Sequence, residues 1–409
     1  MKDTFYADIS EPVVMEFPRL PLHDATASAG GLGPQDDSGA YVAPYANARL
    51  NSRIRYALPA GDWSVQWSAE LPDYMHTSFV LQAGENVLVE GERQWLLFAS
   101  ATGQEIGRGQ KGHSDVYLDA ATGEFYYIDR DDYIATHNAR GELLHLCAAR
   151  LLEQYDRLAI WRQNSKYFVV TRSWGKPPRG KGYLWAVEKL DLGDTSKIDF
   201  QKVLNDKRRE AMVSQPVETL ARPPRDGTVA VLATTDRFYF MDDRLNVIRA
   251  ITGEFQPLSL SLDDTGRLYV LVRSSGEGRF WIVTREGARL LDLAVPLGQD
   301  TFPPPPIIDR SGRAYLLLPG EVLALDATGE IAWREKVEGT LFATLTADGT
   351  LVAAVGPNVL AFDAEGKQRI LATVADDALR TPPVLDARGR LYVSSEHHLY
   401  CLNTAPRLR

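Results

Sequence analysis

One pattern repeats along the chain, and it constrains the fold more than any other feature. Residues 323–333 read LALDATGEIAW, an apolar strand, a polar Asp-x-x-Gly turn and a second strand ending in tryptophan. Related turns recur in VYLDAATGEFYYI (116–128), LSLDDTGRLYVLV (260–272), PIIDRSGRAYLLL (306–318), ATLTADGTLVAAV (343–355) and PVLDARGRLYVSS (383–395). Four of their glycines, Gly266, Gly312, Gly349 and Gly389, step by 46, 37 and 40 residues. A second turn follows each of these a few residues later, as in WIVTREGARLL (281–291), VLALDATGEIAW (322–333) and VLAFDAEGKQRI (359–370). Its entry residues Asp242, Thr284, Asp326 and Asp363 step by 42, 42 and 37.

Each period of about 40 residues therefore holds four strands, A to D, joined by tight turns. Asp tolerates such turns, and Gly supplies the positive φ they need. Four strands cannot bury both faces of their own sheet, so each sheet must stack on its neighbours. The expectation is an all-β chain with a β-propeller fold of eight four-stranded blades. The number falls to seven if the irregular third copy (157–205) is not a blade. The last copy, 380–403, has strands A, B and C only. DWSVQWSAEL (62–71) is a strand with no A, B or C before it. Trp67 lies 17 residues before Gly84, and Trp333 lies 16 before Gly349. Trp67 and Trp333 thus occupy one place in the period, and the N-terminal strand is expected to complete the last blade and remove a free edge.

Two segments fall outside the repeat. Residues 1–61 form an N-terminal extension rich in small residues, read as an arm or a loop, and 62–409 form the propeller. Residues 194–214, DTSKIDFQKVLNDKRREAMVS, read as a helical insertion through Ile198, Val203 and Met212.

The 409 residues are 44% hydrophobic and 24% charged, a balance that supports a packed core. The net charge of −9 argues against a nucleic-acid coat. No apolar run reaches the roughly 18 residues of a membrane span, and no signal peptide is visible in MKDTFYADISEPVVMEF. A cytoplasmic location is therefore expected. The two cysteines, Cys147 and Cys401, make no disulfide framework and read as buried reduced thiols.

Motifs that could carry chemistry are weak in context. GRGQKG (107–112) matches G-x-G-x-x-G, but a strand follows it where a dinucleotide site needs a helix. His397 and His398 are adjacent, and neighbours in a strand face opposite ways. His145 and Cys147 share a face, but two ligands are not a metal site. Asp129, Asp131 and Asp132 form an acidic B–C loop without the Gly and Glu of a calcium loop. No cofactor is expected. The sharpest local anomaly is KYFVVTRSWGKPPRGK (166–181), basic in an acidic protein. Arg172, Trp174, Lys176, Arg179, Lys181 and Tyr183 are the candidate partner-binding residues on this projecting loop.

ALDATGEIAW (324–333) and AFDAEGK (361–367) resemble the PQQ-like, or quinoprotein-like, propeller repeat. In that family an Ala-x-Asp…Gly…Trp motif ties neighbouring blades. The resemblance implies that Asp326, Gly329, Trp333, Asp363 and, by position, Trp67 are blade-docking residues. The family includes quinone-dependent dehydrogenases, outer-membrane assembly scaffolds and intracellular interaction propellers. The enzymes are expected to carry adjacent cysteines, and this chain has no Cys-Cys pair. The expected function is a non-enzymatic cytoplasmic scaffold, binding protein partners through loops on a face or rim, within an ATPase-containing complex in its narrower form. The alternative is a quinone- or metal-dependent enzyme with its site in the central channel.

Overall fold

The computed structural model describes residues 13–16, 52–148, the strands between 155 and 252, and 253–404, apart from short stretches within these ranges. Among the described residues there is no helix, and so none long and apolar enough to cross a membrane. They form eight antiparallel sheets, seven of four strands and one of five. In chain order the first seven span 79–110, 117–148, 155–213, 217–252, 255–294, 307–336 and 341–373, and the eighth begins at 384. Within each, consecutive strands are neighbours, so A to D run in order across the sheet.

The eighth sheet takes its fourth strand from Trp63–Glu70, which pairs antiparallel with His398–Thr404 from Trp63↔Thr404 to Glu70↔His398. More than 300 residues separate these two strands in sequence. The pairing joins the start of the repeat to its end.

The third sheet corrects one expectation. Its fourth strand is Arg209–Val213, which pairs with Gly182–Glu188. These residues lie in the segment read as a helix, and the rest of that segment, 194–208 and 214, lies outside the described residues. Local composition (Lys, Arg, Glu, Ala, Met) favours a helix. The unpaired edge of strand C offers a full ladder of hydrogen bonds instead, and that pairing overrides propensity.

Burial follows position in the sheet. In the sixth, Ala314–Leu318 is buried throughout and Glu321–Leu325 nearly so, while Ile331–Lys336 alternates. Strands B and C are therefore covered on both faces, and D on one. Tyr315, Leu317 and Val322 of the sixth sheet share one core with Ala343, Leu360 and Phe362 of the seventh. A fully buried Leu or Phe contributes about 1.5–3 kcal/mol, so stacked sheets supply what one sheet cannot.

The turns are locked by their aspartates. Asp263 Oδ1 accepts from the Thr265 and Arg267 amides while Oδ2 takes Arg267 Nε at 2.6 Å. Asp386 repeats this with Arg388 and Arg390, and Tyr392 Oη donates to its Oδ2 at 3.0 Å. Asp-x-x-Gly-Arg-x-Tyr is thus one hydrogen-bonded unit.

The N-terminal extension is partly built into sheets. Val13–Glu16 pairs with Val247–Thr252 as the fifth strand of the fourth sheet. Ile54 N donates to Leu345 O at 2.9 Å, Leu345 N to Ser52 O at 2.8 Å, and Leu58 N to Asp348 Oδ1 at 3.0 Å. Compactness divides the chain into two units. One holds Met1–Gly33, Asp131–Ile134 and His145–Phe302, and the other Pro34–Arg130, Ala135–Leu144 and Pro303–Arg409.

Candidate functional site

Trp333 and Trp67 share two contacts, an indole hydrogen bond to a carbonyl of the next turn and a turn glycine beneath the ring. Trp333 Nε1 donates to Ala364 O at 3.1 Å in the C–D turn of the seventh sheet, and its ring stacks on Phe362 at 6.1 Å. Beneath it is Gly366, whose Cβ, if present, would lie 2.7 Å from the indole. Trp67 Nε1 donates to Ser100 O at 3.1 Å in the C–D turn of the first sheet, above Gly103. Each indole spans from strand D of one sheet to the turn of the next. The turn that precedes Trp333 is held by Asp326, whose Oδ1 accepts from Thr328 Oγ1 and from the Thr328 and Glu330 amides, with Gly329 at φ +90°. The Thr328 hydroxyl bond, followed by those amides, holds the Asp326 carboxyl below its ordinary range. Asp363 repeats the turn with Glu365 and Lys367.

The first sheet solves the same contact differently, and this explains its glycine motif. Trp333 is the fourth residue after Gly329; the fourth after Gly103 is Gly107. Trp95, on the adjacent strand Gln94–Ala99, lies across the gap. A Cβ on Gly109 would meet its indole at 2.5 Å, and one on Gly141 of the next turn at 3.4 Å. GRGQKG thus lies partly in strand Glu105–Gln110 and clears space for an indole, with no helix after it. Trp95 packs edge-on against Phe125 at 4.8 Å and His137 at 5.2 Å. His137 Nδ1 donates to Gly141 O at 2.9 Å, so Nε2 accepts from Tyr127 Oη at 3.1 Å. Burial pushes the imidazole pKa down, so His137 is held as a neutral packing group.

A buried ionic cluster was not legible in the sequence. Glu90 ends strand Asn86–Glu90 and is fully buried, and Lys111 follows strand D with only 4% of its side chain exposed. Lys111 Nζ lies 2.9 Å from Glu90 Oε1, and the Val116 amide donates to the same oxygen at 3.1 Å. Burial pushes the Glu90 carboxyl up to about 8, against the opposing pull of Lys111. Burial also raises half-buried Asp115, again opposed by Lys111. The site sets one ammonium among two carboxyl groups that both hold protons more tightly than usual.

Two further features lie at the surface. The fifth sheet carries an open groove of about 340 Å³, with Phe255 and Trp281 in its lining. Asp292 binds Arg279 Nε at 2.7 Å, Trp281 Nε1 at 2.9 Å and Arg289 Nη1 at 3.1 Å there, and Arg289 lies over the Trp281 ring at 4.8 Å. The exposed large hydrophobic residues among the described ones are Val65, Ile106, Leu143, Leu290, Ile331 and Ile370. All six lie on D strands, the fourth in their sheets.

Of the basic-loop residues, Arg172 and Tyr183 sit on paired strands B and C of the third sheet, opposite Gly182 and Thr171. Trp174, Lys176, Arg179 and Lys181 lie outside the described residues. Among the described residues no three His, Cys, Asp or Glu side chains gather as metal ligands. Cys401 is a buried free thiol whose pKa burial pushes up to about 12.

No family model matches the sequence, and no curated protein is significantly similar to it. Solved structures do match. BamB from Moraxella catarrhalis is 12% identical over 85% of this chain and 99% of that one, with a TM-score of 0.53. The Pan2 WD40 domain of Neurospora crassa is 8% identical over 87% of this chain and 99% of that one, with a TM-score of 0.49. Virginiamycin B lyase from Staphylococcus aureus is 8% identical over 84% of this chain and 100% of that one, with a TM-score of 0.47. The first likeness is one of fold alone, and with the repeated four-stranded sheets it gives the chain a β-propeller fold.

Proposed function

We propose that the protein is a non-enzymatic cytoplasmic scaffold, an eight-bladed propeller that binds a protein partner at its rim. The observation that carries this reading is the confinement of exposed large apolar side chains to D strands. Solvated sheet edges are normally kept polar because exposed apolar edges invite pairing with other chains. Val65, Ile106, Leu143, Leu290, Ile331 and Ile370 break that rule on the outer strand of their sheets, which suits a partner that docks on these strands. The loop from Arg172 to Tyr183 is a second contact in this proposal, as the B–C connection of the third sheet.

The test is affinity capture from native lysate with the wild-type chain and with L290E/I331E/I370E. One specific partner recovered by the wild type and lost by the variant is the expected result; an ATPase subunit there would support the narrower form. Equal recovery by both chains, or no specific partner, overturns the rim reading. K176E/R179E/K181E separates the loop from the rim, since unchanged capture removes only the loop. A stoichiometric quinone chromophore or tightly held calcium in the purified chain would favour the enzyme instead.

A further inference from the structure

The Glu90–Lys111 pair occupies a position that sister sheets fill with uncharged residues, two apolar ones in three of the four. In five sheets the residue after strand D donates its amide to a carbonyl in the B–C turn or at the start of strand C. These pairs are Leu71 to His397 O at 2.7 Å, Lys111 to Arg93 O at 2.9 Å, Val295 to Gly278 O at 3.0 Å, Val337 to Gly320 O at 3.0 Å and Val374 to Pro357 O at 2.9 Å. Two residues beyond each acceptor, strand C pairs with a strand B residue: Ser394, Glu90, Leu271, Leu317 and Ala354 respectively. The other four sheets thus set Leu or Val against Ser, Leu or Ala, and all these residues are buried. Only the first sheet of the five sets lysine against glutamate. A buried ion pair is rarely more stable than the apolar pair it replaces.

The hydrogen bonds are lopsided. Lys111 Nζ and the Val116 amide both converge on Glu90 Oε1, while buried Oε2 has no partner among the described residues. An ionised carboxylate would leave charge on an oxygen that nothing solvates. A proton on Oε2 removes that charge and keeps Oε1 as the acceptor of both donors. The groups facing Glu90 are Phe79 on strand A, Trp95 on strand C, and Lys111, Asp115 and the Val116 amide on the connector. Glu92 and Arg93 in the B–C turn are exposed and lie 3.8 Å from each other. His113 and Ser114 lie outside the described residues.

We propose that Glu90 is a proton-controlled latch: with a proton on Oε2 it holds Lys111, Gly112 and Val116 against the first sheet, and loss of that proton to solvent frees them. The connector leads directly into strand A of the second sheet, Tyr117–Leu118, so the latch governs the local order of the D–A face.

Amide hydrogen exchange on the full-length chain tests this between about pH 6 and pH 9, after correction for intrinsic exchange. Protection of the Lys111, Gly112 and Val116 amides, which donate to Arg93 O, Ile128 O and Glu90 Oε1, should fall by up to about tenfold per pH unit as pH rises toward the folded carboxyl midpoint of about 8, and level off above it. Amides at the matching positions, Val337 and Val374, should stay level. E90Q should remove the fall, as should E90L/K111V, which copies the apolar pair Leu317 and Val337 of the sixth sheet; H113N should leave it intact. Invariant protection in the wild type overturns the latch, and that measurement needs no variant to fold. A dependence kept in E90Q, or lost in H113N, also overturns it by assigning the proton elsewhere.

Discussion

Alanine at Gly103 tests whether Trp67 and Trp333 play one role. Gly103 has φ +72°, and an added Cβ would lie 2.5 Å from Trp67 Cε3 and 2.8 Å from Cδ2. The left-handed backbone alone costs an alanine about 1–2 kcal/mol. Displacing the indole also breaks its hydrogen bond to Ser100 O, worth about 1 kcal/mol. G103A should therefore lose about 2–3 kcal/mol. Trp67 is half-buried, so W67A should cost about 2 kcal/mol, less than the ~3–5 kcal/mol of truncating a fully buried tryptophan. With the indole gone, only the backbone strain of G103A remains, and the double variant should be about 1 kcal/mol more stable than the sum of the singles. G366A and W333A should show the same coupling. G349A provides the control, since φ is +80° there but an added Cβ meets nothing within 4 Å. It should show backbone strain alone and add to W67A. Urea denaturation of the four chains of each cycle measures this. Additivity of G103A and W67A within about 0.3 kcal/mol would refute the shared-wedge reading.

Three further outcomes follow from the same geometry. R390M removes the buried partner of Asp386 (the two side chains are 8% and 2% exposed) and the hydrogen bond to Ser100 Oγ at 2.9 Å; a loss of about 3 kcal/mol in urea melts is expected, and a loss below about 1 would show the pair to be inert. G109A forces Trp95 out of its place and should raise indole fluorescence quenching by acrylamide, with a spectrum unchanged from wild type counting against the packing described. The Glu90 carboxyl is raised in the folded chain from 4.5 to about 8, so the folded state binds the extra proton; stability should be highest at low pH and fall as pH rises through that interval, and melting profiles of E90Q should be flatter than wild type over the same range.

The repeat was legible because its turns are chemically specific. Asp and Gly recur at fixed offsets, and Gly329 and Gly366 do adopt the positive φ that their place in the sequence demands. The strand from Trp63 to Glu70 could be placed at the end of the repeat because Trp67 keeps the phase of Trp333, and its pairing with His398–Thr404 follows that phase. Where propensity and phase disagreed, phase was the better guide: Arg209–Val213 has helix-forming composition but lies where a fourth strand is due. The short strand Val13–Glu16 was missed because four residues carry no period. Glu90 and Lys111 were missed for another reason. They are 21 residues apart, in an ordinary-looking stretch, and a single sequence marks a charged residue as exposed by default. Aligning the five sheets by their backbone hydrogen bonds brings the substitution out, because only then does a lysine stand where valine or leucine belongs.

Trp95 shows that the contact made by the tryptophan motif recurs where the motif itself is absent. At three junctions an indole lies over the turn glycine of the next sheet, but nothing requires it to come from strand D. In the sixth sheet Trp333 supplies it from that strand, above Gly366. In the first, strand D gives glycine at 107 and 109, and the indole of Trp95 reaches across from strand C to Gly141. The volume is conserved while its chain position moves by one strand. A search for Trp at the motif position sees Trp333 and Trp67 and passes over Trp95. A search for what covers the turn glycine finds all three, because close packing constrains occupied space more tightly than residue identity.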